Sequence, residues 1–480
     1  MRNCHALITL LAAALITIGF YAQPCFAEDE GAIGFRTLPA PPADSVVSYA
    51  RWTPAVIFGD GSDKTKLEVY FKSSVRKVKL YTGSSFIADL NDDGEDGDAR
   101  AGDNIWTVGG LTKNAYSYQM GDYGIYGYNV KITRHGGSEE TYNNLPSLGL
   151  VKRQKTKSWK VKRNVYASRY TLFLIDKQGR FLDGKLPLCA VYCGKSNKQV
   201  FREFYKYYND KFDFLTVMPV CTIYRPNDYA ENVPYCVPVQ NKVRNIGVPI
   251  FDDTAEFGSK GRLQSIVYHS FGYGAILDHE VDHNWGIKIG DALAFSGANC
   301  QYGQTYGWHY SPYSTLTGQM AAFPHLELSD NGDGTYNVKK YSYGGDYGMT
   351  DRCYSKLTLY LMGLVPPDDV PPVMILTDPD YPNYSKIPAS KFDSFTIEEI
   401  TVANGGERSP AYPNTQKKFR MGLIVVTDHK PRAAEVDYFA SLIKYFASKD
   451  EGKAYLQPFN TATGGRATLK TKMPKARVLK

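Results

Sequence analysis

The sequence has few of the features that place a protein in a membrane or on nucleic acid. Beyond its first residues it has no apolar run approaching the roughly 20 residues that a transmembrane helix needs. The formal net charge is only +7 over 480 residues, and much of the excess lies in one short segment. We therefore expect neither a transmembrane segment in the mature chain nor a nucleic-acid partner.

The amino terminus has the pattern of a secretory signal peptide. Arg2 precedes an apolar run over residues 6–20, and small residues follow near Ala27. No typical lipobox precedes Cys25, so we predict no lipid anchor. We expect residues 1–27 to be removed, and the mature chain to be secreted to the periplasm or the extracellular space.

Cysteine is scarce. Loss of the signal peptide leaves Cys189, Cys193, Cys221, Cys236, Cys300 and Cys353. An even number of cysteines in an exported protein favours disulfides, although the sequence does not choose their pairing. The short spacing of the first two resembles that of metal ligands, but no second close pair completes a four-cysteine site.

The first part of the mature chain is predicted to be all β. Apolar and polar residues alternate over residues 67–71, 75–80 and parts of 126–132, with turn residues between these segments. Short strands of this kind are typical of a β-sandwich. The loop between Asp89 and Asp103 resembles one found in immunoglobulin-like modules of bacterial surface proteins. We therefore predict an immunoglobulin-like sandwich over residues 28–150.

The same loop carries closely spaced carboxylates interrupted by glycines. Such a loop can wrap oxygen ligands around Ca²⁺, but the full EF-hand pattern is absent. A calcium site between Asp89 and Asp103 and a solvated acidic turn fit the sequence equally well.

A basic segment follows. Residues 152–163 are rich in lysine and arginine. Such a run could bind an anionic surface or invite cleavage between domains. Charge runs commonly mark solvated segments, so we interpret residues 151–165 as a linker. If it is cleaved, residues 28–150 would be a removable pro-segment.

Helices and strands alternate in the rest of the chain. Residues 170–175, 212–218 and 421–427 have the composition of buried strands, and residues 198–208 and 354–364 that of helices. An apolar stripe from Val436 to Phe446 predicts an amphipathic helix near the end. This order suits an α/β zincin-like catalytic domain over residues 166–480.

The pattern HExxH at His279, Glu280 and His283 carries the clearest chemistry. Histidines four residues apart project from one face of a helix, where both imidazoles can bind one cation. Apolar Leu277 and a C-capping Gly286 indicate the buried helix that a zinc site of this type requires. Two of only eight histidines fall in this pattern, which favours Zn²⁺ ligation over an ordinary polar helix face.

The third zinc ligand is not in the motif. Catalytic zinc usually has three protein ligands and a fourth position for water. The metzincin pattern HExxHxxGxxH is matched through Gly286, but Ile289 occupies the place of its last histidine. We predict His309, which lies in a glycine-containing stretch that can fold over the helix. The other candidates are Asp291, His325, Glu327 and Asp346.

The motif also implies roles around the metal. Zinc lowers the pKa of its bound water, and Glu280 would accept the proton as the general base. Asp278 and Asp282 flank the two histidines, and they are candidates for orienting an imidazole.

Five segments of the chain resemble a group of secreted bacterial HExxH proteins that are zinc metallopeptidases with a zincin-like domain. They are residues 237–247, 257–263, 279–285, 360–364 and 462–467. The group often has a His-Trp pair downstream of HExxH, and His309-Tyr310 occupies the matching place. Related sequences usually read HELGH, whereas Val281 and Asp282 stand here. The resemblance implies zinc and peptide-bond cleavage, and it does not supply a substrate.

These observations predict an exported zinc metallopeptidase that acts on a protein or peptide. Its β-sandwich would serve in attachment to a cell surface or matrix, or in substrate presentation. The alternative is a noncatalytic surface or matrix-binding protein that has a structural metal or none.

Overall fold

The structure is a computed structural model. It describes residues 46–115, 120–143, 145–177, 198–220, 223–224, 235–269, 277–286, 313–316, 325–340, 353–378, 380–450 and 457–477. Strands β1 to β26 and helices α1 to α6 are numbered in chain order within these ranges. The predicted signal peptide lies outside them.

The amino-terminal part is built from strands, as predicted. They are β1 (Val47–Thr53), β2 (Val56–Phe58), β3 (Thr65–Phe71), β4 (Lys77–Thr82), β5 (Ser85–Leu90), β6 (Ile105–Leu111), β7 (Tyr123–Tyr126), β8 (Asn129–Thr133), β9 (Glu139–Tyr142) and β10 (Leu148–Val151). They form three sheets, with β1-β3-β6, β5-β4-β8-β9 and β2-β10-β7 as neighbours. The strand pattern at residues 126–132 is divided between β7 and β8 because these strands pair in different sheets.

A mixed sheet of eight strands forms the centre of the molecule. Its members are β11 (Trp159–Lys162), β12 (Val165–Ala167), β13 (Thr171–Ile175), β14 (Phe214–Pro219), β16 (Tyr235–Pro238), β19 (Ser265–Tyr268), β25 (Lys418–Thr427) and β26 (Thr468–Lys470). The order is β11-β12-β13-β25-β14-β19-β16, and β26 pairs with β25. Strands β13, β25, β14 and β19 run parallel and are buried, which explains why their sequences are continuous apolar runs rather than alternating ones.

The helices agree with the sequence pattern to within three residues where both exist. They are α1 (Lys198–Tyr207), α2 (Leu277–Gly286), α3 (Lys356–Met362), α4 (Ile397–Ala403), α5 (Ala433–Phe446) and α6 (Phe459–Ala462). Helix α3 is shorter than the predicted 354–364 because Ser355 caps its start through the Thr358 N–H at 3.0 Å. Gly363 ends it in the left-handed conformation, with φ of 76°.

Short elements complete the described part of the chain. Strands β17 (Gln240–Asn241) and β18 (Phe251–Asp252) form one pair, and β22 (Val373–Leu376) and β24 (Phe392–Phe395) form another. Strands β20 (Leu326–Asp330), β21 (Thr335–Lys340) and β23 (Ile387–Pro388) make a small sheet. Single 3₁₀ turns occur at Thr254–Phe257, Pro367–Asp369 and Ala389–Lys391.

Helix α5 joins the amino-terminal strands to the central sheet. It packs against β2, β7 and β10 on one side and against β13 on another. The ring of Tyr123 meets those of Tyr438 and Tyr445 edge-on, with centroids 5.2 and 6.4 Å apart. Strand β1 also pairs with β15 (Ile223–Tyr224). These two strands lie on opposite sides of the predicted linker in the sequence. One hydrophobic core therefore contains residues from both sides of residues 151–165.

The basic segment is attached to α5 at its beginning. The Asp437 carboxylate accepts hydrogen bonds from the backbone N–H groups of Gln154, Lys155 and Thr156 at 2.7 to 3.0 Å. Asp437 is buried. Strand β11 then begins at Trp159 within the segment interpreted as a linker. The domain boundaries themselves stay predictions.

No helix within the described ranges is both long and apolar enough to cross a membrane.

Candidate metal centre

Helix α2 is held in the core by apolar residues one turn apart. Leu277, Val281 and Trp285 recur every four residues, and all three are buried. The indole of Trp285 packs edge-on against Phe214 of β14 and Phe419 of β25, with ring centroids 5.9 and 5.7 Å apart. The helix also contacts β16, β19 and α3. These contacts fix the direction in which its polar side chains project.

The two histidines of the motif converge, as their spacing predicts. Nε2 of His279 lies 3.2 Å from Nε2 of His283, and the ring planes are 89° apart. Two nitrogen ligands of a tetrahedral zinc ion are about 3.3 Å apart when each Zn–N distance is about 2.05 Å. The pair therefore has the separation that one zinc ion requires.

Glu280 completes the group. One ligand atom each from His279, Glu280 and His283 lies within 4.8 Å of the others, and all three residues are buried. The two imidazoles are nitrogen donors that suit zinc, while hard cations such as Mg²⁺ prefer oxygen alone. The residues present therefore fit a zinc ion.

The third ligand stays a prediction. His309, Asp291 and Asp346 lie outside the described residues. His325 and Glu327 are described and do not belong to the group formed by the two histidines and Glu280. His325 is buried at the start of β20, and Glu327 is exposed.

Among the described residues, Asp282 forms no hydrogen bond to an imidazole. Neither of its carboxylate oxygens has a hydrogen-bond partner there, and the residue is fully buried. Burial, and then the charge of Asp278 one turn away, raise the pKa of the Asp282 carboxyl well above its ordinary value. No described hydrogen bond supports the role suggested for Asp282, because position on a helix does not specify what packs against that face.

Asp278 contacts residues from two distant segments. The Tyr354 hydroxyl donates to its backbone oxygen at 2.8 Å, and the Gln457 N–H donates to its Oδ2 at 3.2 Å. Neither neighbour can be identified from the sequence, because both lie more than 70 residues away. Both residues are buried.

Cys236 lies close to the metal-binding group. It is a free thiol on the edge strand β16. Burial, followed by the negative charge of Glu280, raises its pKa. From the sequence we expected only a disulfide here. Cys353 donates from its Sγ to the Thr461 carbonyl at 3.4 Å, and the other four cysteines of the mature chain lie outside the described residues, so disulfides stay a prediction for them.

The acidic loop brings three of its carboxylates together. Asp92, Asp98 and Asp103 each have an oxygen within 4.8 Å of the others. The Asp92 carboxylate also accepts the N–H groups of Asp103 and Asn104, both at 3.1 Å. These bonds close the loop by themselves, so calcium and a self-contained turn both stay consistent with it.

No protein-family model, curated protein or solved structure matches this chain. The resemblance to secreted HExxH metallopeptidases therefore rests on the residue patterns given above.

Proposed function

We propose that this protein is an exported zinc-dependent metallopeptidase that cleaves peptide bonds in a protein or peptide substrate. The observation that carries the proposal is the buried group in which the Nε2 atoms of His279 and His283 lie 3.2 Å apart beside the Glu280 carboxylate. An ordinary polar helix face would be solvated, whereas these residues are held in the core.

His279 and His283 would hold the zinc ion, with His309 as the proposed third ligand. Zinc, when bound, would lower the pKa of its water and polarise the scissile carbonyl. The burial of α2 contributes a rigid position for both imidazoles, since Trp285 packs against two phenylalanine rings.

Glu280 would act as the general base. Its carboxylate takes a proton from the attacking water while the water oxygen forms a bond to the carbonyl carbon. The C–N bond then breaks, and Glu280 returns the proton to the leaving amine. Glu280 is 3 % exposed, so little bulk water competes for this proton.

We also propose the finer architecture on the same basis. Residues 28–150 would form an immunoglobulin-like sandwich for attachment or substrate presentation, and residues 166–480 a zincin-like domain. Support comes from the β-rich amino-terminal part and from the packing of α2 against the mixed central sheet.

The decisive experiment compares Glu280→Gln with wild type. We expect the mature wild-type protein to contain stoichiometric zinc and to cleave an unfolded protein, and the variant to keep its zinc and lose cleavage. Glu398→Gln is the matched control, because Glu398 is an exposed glutamate on α4. Wild-type protein without zinc would instead favour the noncatalytic surface-binding alternative. A variant that still cleaves would remove Glu280 from its role.

A further inference from the structure

The carboxylate of Asp213 joins the beginnings of the parallel strands β14, β19 and β25. Its Oδ1 accepts hydrogen bonds from Nε2 of Gln264 at 3.3 Å and from Nε2 of Gln416 at 2.8 Å, and the Arg262 guanidinium lies 2.7 Å away. Its Oδ2 accepts the Arg420 N–H at 2.7 Å. The carboxylate is fully buried, and these donors compensate its charge. Asp213 is therefore a fixed point at the amino-terminal end of the central sheet.

Asp213 sets the orientation of the Gln264 carboxamide. A carboxylate only accepts hydrogen bonds, so Nε2 of Gln264 faces Asp213, and it also donates to Oε1 of Gln416 at 3.1 Å. Oε1 of Gln264 faces the other way and accepts a hydrogen bond from Nδ2 of Asn284 at 3.3 Å. The backbone is held as well, because the Gln264 N–H donates to the Asp213 carbonyl at 2.7 Å and its carbonyl accepts the Gln240 N–H at 3.0 Å.

Asn284 carries this network to the last turn of α2, directly after His283. Among the described residues, Gln264 is the one hydrogen-bond partner of the Asn284 side chain, since Oδ1 of Asn284 has none. The next residue, Trp285, packs against two phenylalanine rings. Successive residues project about 100° apart around a helix axis, so the bond and the ring contact restrain the turn from two directions. Rotation of α2 about its axis would break the bond to Gln264.

We propose that Gln264 is a positioning residue of the metal centre. It passes the fixed position of Asp213 to Asn284, and so holds α2 at the rotation that directs His279 and His283 to the metal. The inference rests on the proposed zinc centre and adds a residue outside the HExxH motif. Replacing groups that orient metal ligands from outside usually changes metal affinity about 10- to 100-fold. Gln264 acts through the helix, so we expect the lower end of this range.

The test compares Gln264→Leu, Asn284→Leu and the double variant in the full mature protein. Competition with a chromogenic chelator measures zinc affinity, and the visible absorption of Co²⁺-substituted protein reports the geometry of the ligands. Each single variant should bind zinc about tenfold more weakly and should shift the Co²⁺ bands. The double variant should be no weaker than either single variant, because the two residues share one bond.

Gln416→Leu is the matched control. It removes another carboxamide from Asp213 but leaves the bond between Gln264 and Asn284 in place. We expect it to lower the stability of the metal-free protein and to leave the zinc affinity and the Co²⁺ spectrum unchanged. A purely structural role for Gln264 would give the same result in Gln264→Leu.

Three results would overturn the inference. Wild-type zinc affinity in Asn284→Leu would show that the bond does not position the helix. Equal weakening in Gln416→Leu would assign the effect to general loosening at the beginnings of the strands. Additive losses in the double variant would mean that the two residues act separately. All three leave the proposed zinc centre intact, whereas wild-type protein that binds no zinc would overturn both.

Discussion

Nε2 of His429 lies 2.7 Å from Oε1 of the buried Glu435, and its Nδ1 lies 2.5 Å from Oδ1 of Asp428. His429 follows β25, and Glu435 is in the first turn of α5. The imidazole therefore connects the end of the central strand to the helix that packs on the amino-terminal strands.

The first prediction concerns His429 and its two carboxylate partners, which should make the folded protein less stable at alkaline pH. Burial, the largest influence, lowers the pKa of His429, but its bonds to Asp428 and Glu435 outweigh it and raise the pKa to about 9. Because the folded pKa exceeds the unfolded value of 6.5, the stabilisation is complete below pH 6.5 and disappears as pH rises through about 9. After allowance for solvent screening, we expect a loss of about 2 kcal/mol in the free energy of unfolding.

Denaturant unfolding at several pH values measures this effect. His429→Gln should flatten the decline between neutral pH and about pH 9.5. His135→Gln is the control, because His135 is an exposed histidine of the amino-terminal part. Equal pH dependence in wild type and His429→Gln would contradict the prediction.

The second prediction concerns the Asp437 carboxylate. Asp437→Ala removes the acceptor for three backbone N–H groups, and we expect the free energy of unfolding to fall by about 2 kcal/mol. Trypsin should also cut residues 152–160 faster, since their beginning is no longer attached to α5. Asp450→Ala, at an exposed aspartate just beyond α5, should change neither quantity. If the two variants behave alike, the carboxylate does not hold the segment.

The third prediction concerns cleavage of the basic segment. Because the amino-terminal strands share a core with α5, a cut between Gln154 and Trp159 should leave both fragments associated. Size-exclusion chromatography after limited trypsin treatment should show a single peak. A denaturing gel of that peak should show two bands, one for each fragment. Release of the amino-terminal fragment without denaturant would support a removable pro-segment.

The fourth prediction identifies the third zinc ligand. His309→Ala should lose stoichiometric zinc while the chain stays folded, as judged by circular dichroism. The matched variant Glu327→Ala should keep its zinc, because Glu327 lies outside the group around the two histidines. The reverse result would assign the ligand to Glu327, and retained zinc in both would redirect attention to Asp291 or Asp346.

The fifth prediction links the position of α2 to the metal. Trp285→Ala removes a buried ring that packs edge-on against Phe214 and Phe419, and we expect a loss of about 3 to 5 kcal/mol in the free energy of unfolding. Trp285→Phe keeps part of that packing and should lose less. Zinc affinity should decrease in the same order, because the helix is less well fixed. Unchanged stability in Trp285→Ala would mean that other contacts hold α2.

Local sequence patterns predict those features that depend on a single strand or helix. The buried strands β13, β14 and β25 follow from continuous apolar runs, and α3 ends at Met362, two residues before the end of the predicted helix. The convergence of His279 and His283 is also local, because helical spacing alone brings them together.

Contacts between distant segments could not be predicted from the sequence. The pairing of β1 with β15 and the bonds from residues 154–156 to Asp437 join segments more than 100 residues apart. Nothing in the composition of these segments specifies a partner. The same holds for Tyr354 and Gln457 beside Asp278, and for the free thiol of Cys236 near Glu280, where the sequence suggested a disulfide.

Helix α5 has a consequence for how the molecule unfolds. Nearly all of its residues are buried, and it contacts both the amino-terminal strands and the central sheet. Neither group of strands can be exposed to solvent without uncovering one side of this helix. We therefore expect the two regions to lose structure in one cooperative transition, and a destabilising change in either to lower the melting temperature of both.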